Sequence, residues 1–188
     1  MALNFPGKDI LLDRINSAVS GDCPFEITTC LRKALCDSIA DKSIRLPAMV
    51  YEPVADHYAR RELHQDEKYG YSVVAMTWGP GQGTPIHDHG GMWCVEGVWS
   101  GCIEVVQYSL LAQEPPLYKF EAIGSIMAGC GSAGSLIPPH EYHTIANSSD
   151  VEPAVSVHIY SGPLVYCKLF NEDRDGWHRE EVKTLCLD

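Results

Sequence analysis

The 188-residue chain carries eight histidines, and four of them stand where they could serve one metal ion. His87 and His89 are separated by a single residue in the run Gly81-Gln82-Gly83-Thr84-Pro85-Ile86-His87-Asp88-His89. On a strand, residues i and i+2 face the same way, so the two imidazoles project together. His140 and His143 follow in Pro138-Pro139-His140-Glu141-Tyr142-His143-Thr144-Ile145-Ala146-Asn147. One of these joined to the first pair gives a neutral nitrogen set that suits a first-row transition metal and leaves coordination positions open. A second strand-like run, Ser156-Val157-His158-Ile159-Tyr160, places its three polar residues on one face by the same alternation. Tyr58, Arg60 and Arg61 lie upstream in HYARREL, where either arginine could be a plain surface charge.

The spacings resemble those of the cupin superfamily. Gly81, His87, His89 and Gly101 fall where its first motif has glycine, the His-x-His pair and a closing glycine. Residue 94, where that motif supplies a carboxylate ligand, is Cys94, and Glu96 falls outside the motif's range and is expected at the surface. The second segment resembles the cupin Pro-x-Gly-x2-His-x3-Asn motif with His140 in the glycine position, which implies His143 as third ligand. This constellation is similar to that of one cupin family, the thiol dioxygenases. The resemblance implies a mainly β, jelly-roll-like cupin barrel with N-terminal helices, and Fe(II) on His87, His89 and His143. Its implied partners are a small-molecule thiol and O2, and its implied product is a sulfinic acid. It implies Arg60 and Tyr58 at the substrate carboxylate, and Tyr160 as a hydrogen-bond donor oriented through His158 and Ser156. It also implies a thioether between Cys94 and Tyr160. Arg60 and Cys94 are similar to the cysteine-oxidising members, whereas WGPGQGTPIHDH resembles enzymes that oxidise 3-mercaptopropionate. L-Cysteine is the expected substrate, with 3-mercaptopropionate or mercaptosuccinate as alternatives and a non-oxidising metal-binding cupin as the rival.

The elements that must position these residues are legible in outline. Leu11, Leu12, Ile15 and Val19 share one helical face, as do Ile27, Leu31, Leu35 and Ile39, with Gly21 and Pro24 marking a break and a fresh start. A helical part over 8–41 is expected, followed by a barrel over about 50–170 in a single domain of 1–188. Short β-branched or aromatic runs at 71–78, 102–110, 117–123, 154–160 and 164–170 read as strands. No helical pattern separates them, which favours antiparallel pairing over a parallel sheet. GCGSAGS (129–135) reads as a turn and EDRD (172–175) as a solvated loop; His57, His64 and His178 belong to no constellation.

Composition narrows the classes. Fourteen basic and 25 acidic residues give a net charge of −11, which disfavours nucleic-acid binding. No apolar run is long enough to cross a membrane, and Pro6, Gly7, Lys8 and Asp9 interrupt any leader-like start, so a cytoplasmic protein is expected. The eight cysteines form no C-x-x-C pair, and most are expected to be reduced and buried.

Overall fold

A computed structural model describes residues 3–188. Two helices come first, α1 (Lys8–Ala18) and α2 (Pro24–Ala40), with Pro24 opening the second as the sequence suggests. A short 3-10 turn, Ala48–Tyr51, leads into eleven strands among the described residues. These are β1 (Ala59–Gln65), β2 (Ser72–Trp78), β3 (Ile86–His87), β4 (Cys94–Ser100), β5 (Cys102–Glu114) and β6 (Leu117–Gly129). They continue with β7 (Ala133–Leu136), β8 (His143–Asn147), β9 (Ala154–Tyr160), β10 (Tyr166–Glu172) and β11 (Trp177–Thr184).

One sheet runs β1-β2-β9-β4-β7 and the other closes as β10-β11-β6-β5-β8-β3, with every pairing antiparallel. The central strands of the first sheet are buried on both faces, β2 and β9 along their whole length. Alternation sorts their side chains. Val73, Ala75, Val95, Val155, Val157 and Ile159 pack outward against Leu11, Ile15, Leu31 and Leu35 of the helices. Val74, Met76, Trp78, Cys94, Val98 and Tyr160 point into the barrel. Gly97 admits the helix layer: a Cβ there would meet the Leu35 side chain at 2.8 Å. No helix is long and apolar enough to cross a membrane among the described residues.

Three expectations need correction. GCGSAGS holds a turn only at its start; Ala133–Leu136 pair with β4 as the strand β7, a long-range partnership that a Gly/Ser-rich run does not advertise. The strands expected at 102–110 and 117–123 extend to a 13-residue hairpin pair. Only Cys94 and Cys167 are buried, while Cys23, Cys30, Cys130 and Cys186 are exposed.

Candidate metal centre

β3 ends at His87, whose backbone faces Leu169 of β10 on one side and His143 of β8 on the other. Neighbouring strands thus bring residues 87 and 143 side by side, with their ring centroids 4.3 Å apart. His89 lies just past β3, where Asp88 anchors the chain by accepting from the Lys168 backbone N–H (2.8 Å). The three donor atoms of His87, His89 and His143 all lie within 4.8 Å of one another. His140, the alternative third ligand, is exposed and outside this cluster.

The ring orientations fit a cation. His87 Nδ1 lies 3.1 Å from the Pro85 carbonyl and His143 Nδ1 lies 2.9 Å from the Glu141 carbonyl. These acceptors assign the protons to Nδ1 and leave the Nε2 lone pairs for a metal. Glu141 performs the third placement, accepting from the His89 backbone N–H at 2.9 Å. Its Oε2 is also 3.2 Å from His89 Nδ1, close but not aligned as a hydrogen bond. Burial and neighbouring imidazoles push His87 down to about 3 and His143 well below the usual histidine range. Both rings therefore stay neutral, the form a metal requires.

A narrow cavity beside the cluster is lined by Tyr58, Arg60, Trp78, His158, Tyr160 and Leu164 as well as the three histidines. Arg60 and Arg61 take opposite faces of β1. Arg61 turns away, donating to Thr77 Oγ1 and the Glu52 carbonyl. Arg60 turns inward and donates to the carbonyls of Cys186 (3.2 Å) and Leu164 (3.1 Å), leaving its buried Nε–H unpartnered. The last residues strap it in place: Asp188 Oδ2 accepts from the Arg60 N–H at 2.7 Å, and the Asp188 N–H donates to the Arg60 carbonyl. His57, unassigned by sequence, secures the strap by contacting Asp188 Oδ1 at 2.9 Å. Tyr58 stacks on Trp78 with centroids 4.5 Å apart.

Trp78 of β2 donates its Nε1–H to Ser156 Oγ on β9 (2.9 Å), which in turn lies 2.7 Å from His158 Nε2. His158 stacks on Tyr160, and the Tyr160 ring lies 5.8 Å from that of His89. Cys94 is the direct cross-strand partner of Tyr160. Burial raises the Cys94 thiol and the Tyr160 hydroxyl well above their ordinary ranges, so both are protonated at neutral pH.

Glu96 is not at the surface. It is 6% exposed and follows Cys94 on the inward face of β4. Its Oε2 lies 3.4 Å from His158 Nδ1 and 4.0 Å from His143 Nε2. Burial pushes its carboxyl up to about 7. Glu141 and Glu96 are the two site carboxylates that motif spacing alone passes over. Alternation from Cys94 does reach Glu96, whereas Glu141 carries no comparable signal.

These strands and the three-histidine face define a cupin, a double-stranded β-helix. An uncharacterized conserved protein with a double-stranded beta-helix domain from Klebsiella pneumoniae subsp. pneumoniae shares the fold. The two superpose with a TM-score of 0.50 at 20% identity, covering 68% of this chain and 92% of that one. The model of the cysteine dioxygenase type I family matches residues 50–173, and the chain belongs to that family. Cysteine dioxygenase type 1 of Danio rerio is 26% identical over 147 residues, 69% of this chain. The Homo sapiens protein of the same name is 28% identical over 127 residues, 60% of this chain. The chain spans 64% of the length of the first relative and 54% of the second.

Proposed function

We propose that the chain is a ferrous thiol dioxygenase acting on a small carboxylate-bearing thiol, L-cysteine above others, with His87, His89 and His143 holding the iron. The observation that carries this reading is that three convergent imidazoles and one inward guanidinium with an unpaired buried N–H share one cavity. Bound there, Fe(II) supplies the Lewis acidity that favours a thiolate and the redox chemistry that joins O2 to sulfur.

The residues around it bind and orient. Arg60 offers its free Nε–H to the carboxylate, a charge-assisted bond in a dry site. One N–H on each terminal nitrogen is already held by the Cys186 and Leu164 carbonyls, so its direction is fixed before substrate arrives. Tyr58, packed on Trp78, forms the wall beside it. Tyr160 keeps its proton and acts as a donor toward the reacting groups, with the Trp78–Ser156–His158 chain fixing the neighbouring ring. The β4–β9 register that sets Cys94 opposite Tyr160 supports a thioether between them. Its formation removes one hydrogen from the thiol and one from the aryl ring, with O2 accepting both electrons.

The run WGPGQGTPIHDH favours 3-mercaptopropionate as a second substrate reading. Oxygen uptake by the iron-loaded protein across L-cysteine, 3-mercaptopropionate, mercaptosuccinate and cysteamine tests both. Fastest uptake with L-cysteine is the expected result. Fastest uptake with 3-mercaptopropionate transfers the assignment, and no thiol-dependent uptake leaves a non-oxidising metal-binding cupin.

A further inference from the structure

Beside the three-histidine cluster lies a second convergence of donor atoms. We propose that Cys94, Glu96 and His158 form a divalent-cation site of their own, suited to zinc. The Cys94 Sγ, a Glu96 carboxylate oxygen and a His158 ring nitrogen all fall within 4.8 Å of one another, and all three residues are buried. Two of the three separations can be set against the edges of a tetrahedral ion, one equal to its edge and one about 0.3 Å longer. Zinc bond lengths of about 2.0–2.3 Å set ligand edges of about 3.4 Å for N to O and about 3.6 Å for N to S. His158 Nδ1 lies 3.4 Å from Glu96 Oε2 and 3.9 Å from Cys94 Sγ.

A second observation points to a ligand. Glu96 Oε2 is fully enclosed and accepts no hydrogen bond from any group. An acceptor stranded in this way is costly unless something positive meets it. A divalent cation does so, and with one thiolate, one carboxylate and one neutral imidazole its charge is balanced. The second sphere is also in place. Ser156 Oγ, with two lone pairs, accepts from Trp78 and can take the His158 Nε2–H as well, which frees Nδ1 to coordinate. Glu96 Oε2 also lies 4.0 Å from His143 Nε2, so its negative charge stands between this site and the three-histidine one.

The site needs the free thiol, so it and the Cys94–Tyr160 thioether exclude each other. Its existence does not depend on thiol oxidation, and metal binding alone tests it. The full chain, prepared anaerobically and reduced so that Cys94 remains a thiol, is titrated with Co(II). The readouts are cobalt per chain and the thiolate-to-cobalt charge-transfer absorption in the near ultraviolet. Two cobalt ions per chain are expected, one of them bearing the thiolate band. Cys94→Ser should abolish the band and keep the other ion. Glu96→Gln should weaken the band-bearing site more than about tenfold. His87→Ala should leave the band in place while emptying the three-histidine site. A single cobalt without a band overturns the proposal. So does a band indifferent to Glu96→Gln, or one lost in a folded His87→Ala protein, which would make Cys94 a ligand of the first ion. Should His87→Ala fail to fold by circular dichroism, the Glu96→Gln titration decides alone.

Discussion

Replacing Arg60 by glutamine separates a substrate-binding guanidinium from a structural one. In the folded protein Arg60 spends two donors on the carbonyls of Cys186 and Leu164 and keeps a buried Nε–H without a partner. One charge-assisted hydrogen bond to a carboxylate contributes about 1.5–3 kcal/mol, and about 1.4 kcal/mol is tenfold. Arg60→Gln should therefore lower kcat/KM for L-cysteine by roughly 10- to 100-fold. Part of the loss should fall on kcat, because a carboxylate held in the wrong place carries the sulfur with it. The same substitution releases the two carbonyls, so some effect on folding is expected. Cysteamine, which has no carboxylate, isolates that part: its turnover should be poor in the wild type and nearly unchanged in the variant. Steady-state oxygen uptake with both thiols, at matched iron content, gives the comparison. Equal losses for the two thiols would show that Arg60 acts only as a strut, and an unchanged kcat/KM for L-cysteine would remove it from the site.

Further outcomes follow from the same geometry. His143→Ala should lose bound iron, whereas His140→Ala, at an exposed position, should retain it; metal analysis giving the reverse would overturn the ligand assignment. After turnover, peptide mass analysis should find Cys94 and Tyr160 joined with the loss of two hydrogens, and a Cys94 that still reacts with an alkylating agent would contradict the cross-link. Metal-free protein should lose stability as pH falls below about 6.5, the ordinary histidine value. The folded-state pKa values of His143 and His158 are depressed by burial, so their contribution is present above the unfolded value and disappears as the unfolded chain takes up protons. Glu96, raised to about 7, opposes this over the interval down to its ordinary 4.5. Three depressed histidines, His87 included, outweigh the one raised glutamate, so the net effect is a loss of stability as pH falls. Denaturant melts showing stability flat or rising between about pH 6 and 5 would refute the buried neutral state.

The residues legible from sequence are those fixed by short-range periodicity. Ser156, His158 and Tyr160 alternate along one strand, and β9 has the expected bounds at 154–160. Arg60 and Arg61 differ by one position, and on a strand that difference is a change of face, which no composition argument resolves. Glu96 eluded motif spacing because the cupin pattern assigns its carboxylate to position 94. The i+2 rule, applied from Cys94, already puts residue 96 on the same inward face. β7 was hidden for another reason. Its residues, Ala133–Leu136, have weak strand propensity and owe their conformation to pairing with β4, a contact far away in sequence. The cysteines show the limit of residue type as a guide to burial. Cys23 and Cys30 are exposed at the start and on the outer side of α2, because a helix buries only the stripe that meets the sheet.

The central claim, that this chain adds both atoms of O2 to the sulfur of a carboxylate thiol, is tested most directly by isotope. Iron-loaded protein is supplied with L-cysteine under 18O2, and the product is read by mass spectrometry. A sulfinic acid carrying two labelled oxygens is the expected result. A sulfinate labelled at one oxygen or none, or a disulfide as the sole oxidised product, would contradict the account.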